Sequence, residues 1–405
     1  MRYIRLVIVP LLLLISFIAQ GSHAVGIDLT YVCLGGNQYR FNVSFYRDCD
    51  GIDPPGSVSV SISSASCGIS TSQTLSLTGS QEVSQICGAM LNNTTCNGGS
   101  LPGIEQYTYS GVFTLPTECS DWVIGYSLCC RNSAITNLSN PANQNLYVES
   151  HINNIGGACN SSPTFNALPV PYICVGQPFY YNHGAVDPDG NTLVYSLVNP
   201  QSASGTNIPY TNGYTPTNPM GLTGAFGLDA NTGQMSFTPS QIQQGVITIL
   251  IEEYDTGGNL VGTSMRDIQV VVINCSNQAP TASGIDGSAS VYNFTGCAGS
   301  SFCFDINSTD VDGGDITTMT WNNGIPAGSF TTTGAPFSVG AFCWTPTLGD
   351  IGTHYFTVTV EDDACPIPGI NTFIYEINVT PSPDPPVDAG LDQSVCFGET
   401  VSLNA

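Results

Sequence analysis

The chain contains no lysine, and its cations are six arginines at positions 2, 5, 40, 47, 131 and 266. Against them stand 30 acids, giving a net charge of −24 over 405 residues. A nucleic-acid partner requires a basic footprint, so that class is excluded. Binding to an anionic membrane surface is disfavoured for the same reason. Histidine is almost as scarce, with four residues (23, 151, 183 and 354), and no Cys-x-x-Cys occurs, so zinc ligand sets are missing. His151 and His183 sit in strand- or loop-like contexts and are expected at the surface or in turns. No G-x-S-x-G, H-E-x-x-H, P-loop or G-x-G-x-x-G is present. No catalysis is expected in this region.

Helical periodicity is nearly absent as well; only residues 240–244 read as a helical turn. What is there instead is a series of short alternating or β-branched runs, at 39–46, 58–62, 246–251, 355–360 and 374–379. With 44 Gly and 26 Pro between them, these runs predict an all-β fold of sandwiches.

Arg2 and Arg5 precede an apolar run over residues 6–18, and Ser22-His23-Ala24 supplies a small-x-small cleavage pattern. Residues 1–24 therefore read as a signal peptide. No later stretch reaches the 18 apolar residues of a membrane span, so no transmembrane segment is expected after cleavage. Sixteen cysteines in an exported chain read as disulfides. Nine of them fall in residues 25–160, a cysteine-rich β module whose connectivity the spacing leaves open. Cys129 and Cys130 are expected to bond different partners.

A repeat follows. Cys174-Val-Gly leads in thirteen positions to Asp187-Pro-Asp189-Gly190, and Cys297-Ala-Gly leads in thirteen to Asp310-Val-Asp312-Gly313. Phe237-Thr-Pro239 matches Trp344-Thr-Pro346, and both copies end in acids, Glu252-Glu253-Tyr-Asp255 and Glu361-Asp362-Asp363. These landmarks place β-sandwiches at 161–276 and 277–381. A further copy opens within 387–405 at Cys396-Phe-Gly, too short to close a core. The chain is therefore expected to be part of a longer protein. Expected disulfides are Cys174–Cys275, Cys303–Cys343 and Cys297–Cys365, with Cys396 lacking a partner in its own module.

Beyond Arg266 there are fifteen acids and no Lys or Arg. Carboxylates a few ångströms apart cannot all ionise without a counter-charge. Calcium, which takes six to eight oxygens, is the natural one. Its expected ligands are Asp187, Asp189, Glu252 and Asp255 in the first repeat, and Asp310, Asp312, Asp315, Glu361, Asp362 and Asp363 in the second. The twelfth loop position, counted from the first Asp, is Val198 or Trp321, so neither loop is an EF-hand. Asp-x-Asp-Gly is also a good turn in its own right, and that reading stays open.

Residues 22–36, with Phe45-Tyr46-Arg47-Asp48-Cys49 and Cys129-Cys130-Arg131-Asn132, resemble the N-terminus of secreted gliding-motility-associated surface proteins of gliding Gram-negative bacteria, exported by type IX secretion with type B sorting. Ala185-Val-Asp187-Pro-Asp189-Gly190, Asp229-Ala-Asn-Thr-Gly233 and Phe237-Thr-Pro239 resemble a cadherin-like module. Val387-Asp388-Ala-Gly390-Leu-Asp392-Gln with Cys396 resembles the start of an immunoglobulin-like or polycystic-kidney-disease-type repeat. That family's calcium-carrying acids correspond to Asp187, Asp189, Asp310 and Asp312, whereas the linker at 274–280 keeps Asn277 and Pro280 without the acids of a cadherin linker. The resemblance implies a secreted cell-surface protein for cell adhesion, a calcium-stiffened rod of repeats facing an extracellular glycan or protein ligand, with outer-membrane attachment through a region beyond residue 405. Two alternatives remain: a carbohydrate-binding accessory module using Tyr180 or Tyr214, or the stalk of an enzyme whose catalytic domain lies further on.

Overall fold

Ser57–Ser64 reads SVSVSISS, and its Val58, Val60, Ile62 and Ser64 are buried while the residues between them are open. This period of two is what a strand with one face on a core requires. It recurs along the chain, and the computed structural model is all-β, with only short 3₁₀ turns such as Gly88–Asn93. The structure describes residues 24–169, 171–211, 213–382 and 396–398. The signal segment, apart from Ala24, and most of the expected third copy at 387–405 lie outside them. The helical turn expected at 240–244 does not form, because strand Gln243–Tyr254 begins there.

Seven strands of the first module and one from the first repeat close into an antiparallel ring. From Ala24–Gly35 the hydrogen-bonded order runs through Gln38–Asp48, Ile104–Thr114, Ile69–Glu82, Ser57–Ser64, Trp122–Leu128 and Leu146–Ile152. The eighth strand is Leu260–Ile273, which pairs with Leu146–Ile152 at one end and with Gly26 and Ile27 further along. The cysteine-rich module thus completes its ring with the last strand of the first repeat, and one continuous sheet crosses residue 160. Closure leaves the ring without a free edge. Its core includes Tyr31, Phe41, Trp122 and Val148.

Leu260–Ile273 also serves the first repeat. It pairs with Gln243–Tyr254 over twelve positions and, in parallel, with Tyr172–Cys174. A small sheet of Phe179–Tyr181, Met235–Phe237 and Gly227–Leu228 supplies the opposite wall of the core around Phe179, Phe237, Ile249 and Ile268. The second repeat is a sandwich of two four-stranded sheets around Phe342, Phe356 and Tyr375. Here too the strand Asn293–Cys297 runs parallel to the last strand, Ile370–Thr380.

Cys174 bonds Cys275, and Cys303 bonds Cys343. The expected Cys297–Cys365 pair does not form: Cys297 bonds Cys396, and Cys365 bonds Cys87 of the first module. Cys129 and Cys130 bond each other rather than different partners. Cys33–Cys159, Cys49–Cys96 and Cys67–Cys119 complete the set. The Cys87–Cys365 bridge joins residues 278 apart and sits beside a hydrogen bond from Gln85 Nε2 to the Pro368 carbonyl, 2.8 Å. Successive beads on a rod do not touch in this way. The three modules form one block, because the first module reaches past the first repeat to the second.

Charge completes the joint between the first module and the first repeat. Arg266 and Asp267 are consecutive on Leu260–Ile273, so they point to opposite faces. Arg266 Nε and Nη2 donate to Asp28 Oδ1 and Oδ2 at 2.7 and 3.1 Å. Arg131 Nη1 and Nη2 donate to Asp267 Oδ1 and Oδ2 at 2.9 and 2.8 Å. Both are bidentate pairs with almost no exposure. His183, expected at the surface, is fully buried and accepts from Arg266 through Nδ1 at 3.2 Å. Burial, with the nearby guanidinium, holds its pKa well below the usual value, so it stays neutral.

Candidate cation sites at the module junctions

Each Asp-x-Asp-Gly turn is organised by its first carboxylate. Asp187 Oδ1 accepts from the backbone N–H of Asp189 at 2.9 Å, and Asp310 Oδ1 accepts from that of Asp312 at 2.8 Å. The second carboxylate holds the incoming linker. Asp189 Oδ2 accepts from the Ser161 N–H at 2.5 Å, and Asp312 Oδ2 from the Gln278 N–H at 2.6 Å. The residue just before each donor is an asparagine, and its side chain reaches an acid at the end of a long strand. Asn160 Nδ2 donates to Glu253 Oε2 at 2.7 Å, and Asn277 Nδ2 donates to Asp362 Oδ2 at 2.9 Å.

A glycine clears space at the same place in both copies. A Cβ on Gly262 would fall 2.9 Å from Glu253 Oε1 and 2.5 Å from the Tyr31 hydroxyl. A Cβ on Gly369 would fall 2.6 Å from Asp362 Oδ2. Linker asparagine, two turn aspartates, a strand-end acid and a facing glycine therefore recur as one constellation. One copy lies at the junction of the first module with the first repeat, the other between the repeats.

The second site gathers more charge. Asp310, Asp312 and Asp315 each bring a carboxylate oxygen within 4.8 Å of the others. Asp363, expected among the ligands, is exposed and instead accepts from the Ile316 N–H at 2.7 Å, which pins the acidic loop. Glu361 lies one residue before Asp362 and is half-buried.

In the first site the outcome differs from expectation at two positions. Strand alternation sends Glu253 inward, with no exposure, and Glu252 to the opposite face. Asp255 is not in the cluster: its carboxylate caps its own exposed turn, accepting from Gly257 N–H, Asn259 N–H and the Asn259 side chain. Those bonds lower its pKa. Glu253, Asn160, Asn277 and the two glycines were not among the expected site residues. The signal for them is the Asn-x-x-Pro that opens both linkers, Asn160-Ser-Ser-Pro163 and Asn277-Gln-Ala-Pro280.

Electrostatics separates these acids from ordinary surface carboxylates. Burial pushes Glu253 up to about 8, with the Asp187 and Asp189 charges adding to it and the Asn160 bond opposing it. Burial likewise raises Asp187, Asp310, Glu361 and Asp362. Several oxygens remain unspent: Asp187 Oδ2, Glu253 Oε1, Asp310 Oδ2 and Asn277 Oδ1 are buried without a hydrogen-bond partner. All four are acceptors. A buried, unpartnered set made only of oxygens fits a hard divalent cation, and carbonyl and carboxylate oxygens are what calcium takes.

No protein-family model matches the chain, and no characterised protein matches it in sequence. Among solved structures it is similar to an endo-fucoidan hydrolase of glycoside hydrolase family 107, at 16% identity and a TM-score of 0.20, covering 87% of this chain and 43% of that one. It is also similar to an I-band fragment of titin, at 10% identity and a TM-score of 0.18, covering 88% and 99%. A third is the human CDH23 EC21-23 fragment, at 14% identity and a TM-score of 0.20, covering 53% and 73%. The chain spans about two-fifths of the length of the two fucoidan hydrolases it matches over most of its own length. At these scores the likenesses carry no argument about activity.

Proposed function

We propose that this chain is an exported, modular, non-catalytic surface protein of adhesive type, whose module junctions are braced by calcium. The observation that carries the reading is the repeated constellation: Asn160, Asp187, Asp189 and Glu253, then Asn277, Asp310, Asp312 and Asp362, each leaving buried oxygens unspent. Asp315 joins the second set. Calcium there would supply the positive charge that the chain itself lacks beyond Arg266. These residues tie a linker to the turn and strand end of the following repeat, so neutralising them holds neighbouring modules in one orientation. Eight disulfides, four of them within the first module, support the extracellular reading. The resemblance of the N-terminal motifs supports export by the type IX route. No helix among the described residues is long and apolar enough to cross a membrane.

Calcium at about tenfold over Kd stabilises by about 1.4 kcal/mol per site, with Kd of order 10⁻⁴–10⁻³ M for extracellular modules. Calorimetric titration should show that binding, and the melting temperature should rise by a few degrees in millimolar calcium. Asp310→Asn with Asp312→Asn should remove the second site's share. No heat and no shift at 10 mM calcium, in protein first treated with chelator, would end the calcium reading.

A further inference from the structure

The strand Phe179–Tyr181 carries three aromatics in a row, and alternation decides their uses. Phe179 and Tyr181 enter the core of the first repeat. Tyr180 points the other way, into a cleft of about 1020 Å³ between the first and second repeats. On the far wall Phe373 lies 5.1 Å from the Tyr180 ring, and Tyr292 lies 6.3 Å beyond Phe373 with its plane only 8° away. An aromatic strip therefore crosses the floor from one module to the other. Tyr355, Glu376 and Asp229 stand at the same cleft. Burial raises the Tyr355 pKa, and the nearby Glu376 and Asp229 charges add to it.

The two walls are held in register. Tyr180 N–H donates to Asn371 Oδ1 at 2.8 Å, and Gln234 Nε2 donates to the Thr372 carbonyl at 3.0 Å. The groove is thus pre-formed, and an inter-module cleft of this size that combines apolar faces with a few polar groups has the make-up of a ligand site.

We propose that this cleft binds a neutral oligosaccharide, with the half-buried Tyr180 and Tyr292, packed on the buried Phe373 between them, stacking on sugar faces and Glu376 and Asp229 accepting from sugar hydroxyls. The rest of the lining is mainly Ser, Thr, Asn and Gly, which suits a ligand rich in hydroxyls. Charge decides the class of glycan. Among the described residues no arginine or histidine lines the cleft, two carboxylates do, and the chain carries −24 overall. Sulfated or uronic-acid polymers are repelled. This site shares no residue with the calcium clusters, and its walls are joined directly by the Tyr180–Asn371 and Gln234–Thr372 bonds, so the groove forms without them.

The test is isothermal titration of the full chain with neutral hexasaccharides of glucose, mannose and xylose, with a sulfated galactan oligosaccharide and an Arg/Lys-rich peptide as comparators. At least one neutral hexasaccharide should bind with Kd of 1 mM or tighter. Glu376→Gln and, separately, Tyr180→Leu should each weaken it at least fivefold at an unchanged melting temperature. Asp310→Asn with Asp312→Asn should leave it in place. If no neutral sugar binds at 10 mM, if both cleft variants bind as the parent does, or if the sulfated sugar or basic peptide binds more tightly, the proposal falls. Should Tyr180→Leu fail to fold, Glu376→Gln decides alone.

Discussion

The two junctions of this molecule solve the same electrostatic problem with different means. Between the first module and the first repeat, acids meet arginines: Asp28 pairs with Arg266 and Asp267 with Arg131, both out of water. Between the repeats no arginine is within reach, because the chain has none after position 266. There the first module reaches round with Cys87 to Cys365, and neutral amides such as Gln177, Gln234 and Asn371 bond across the junction. The lesson is that a chain with so few cations spends three of the four described ones, Arg47, Arg131 and Arg266, inside, where a guanidinium fork can satisfy a buried carboxylate. Where no arginine pairs with them, at Asp187 and Glu253 beside the first junction and at the larger acid group of the second, carboxylates keep unspent oxygens, and compensation has to come from solution.

The comparison breaks most visibly at the buried pairs. Arg266→Met leaves Asp28 charged and unpaired in the interior, and chemical denaturation should register a loss of about 3–5 kcal/mol. Adding Asp28→Leu should recover most of it, since an apolar pair can replace a buried ion pair at little cost. If the single variant is as stable as the parent, the buried-charge contrast is wrong.

Next in size is the covalent strap. Cys87→Ser with Cys365→Ser should lower stability by about 2–5 kcal/mol. Limited proteolysis should then cut the linker around residues 276–279 more readily, whereas the linker at 160–163, held by the shared strand, should stay protected.

A smaller effect is a pH slope. Glu253 in the folded chain has its pKa near 8 against an ordinary 4.5, so the native state holds a proton that the unfolded state has released. In chelator, stability should therefore be full below pH 4.5 and fall as pH rises through 8, by at most about 1.4 kcal/mol per unit. Glu253→Gln should flatten that slope in thermal melts taken at pH 5, 6.5 and 8. A slope of the opposite sign would place the charge of Glu253 next to a cation not accounted for.

Smallest of all are the acids that the structure leaves out of the sites. Asp255→Asn and Glu252→Gln should change stability by no more than about 0.5 kcal/mol and leave the calcium response of the parent intact. A calcium response lost in either variant would mean that the first site is centred on the wrong acids.

Much of this was legible beforehand. The period-two runs announced strands, the paired Cys-x-Gly and Asp-x-Asp-Gly landmarks announced two copies, and Cys174 and Cys275 announced a tie across the first copy. What misled was counting acids along a strand: Glu252, Glu253 and Asp255 look interchangeable in one dimension, yet only Glu253 faces Asn160. Tyr180 is named with Tyr214 from the sequence, but only the structure separates it from Phe179 and Tyr181, which are core.

Composition alone determined the class of the molecule, because a chain without lysine and with alternating apolar residues can make sheets, and disulfides, but no basic surface. Which cysteine found which, which strand closed the first ring, and where the unspent oxygens converge were settled only in three dimensions. Leu260–Ile273 shows why: it belongs to the first repeat by order along the chain and to both modules by hydrogen bonding. Contacts between residues more than a hundred positions apart depend on how whole sheets pack, and no local pattern encodes that.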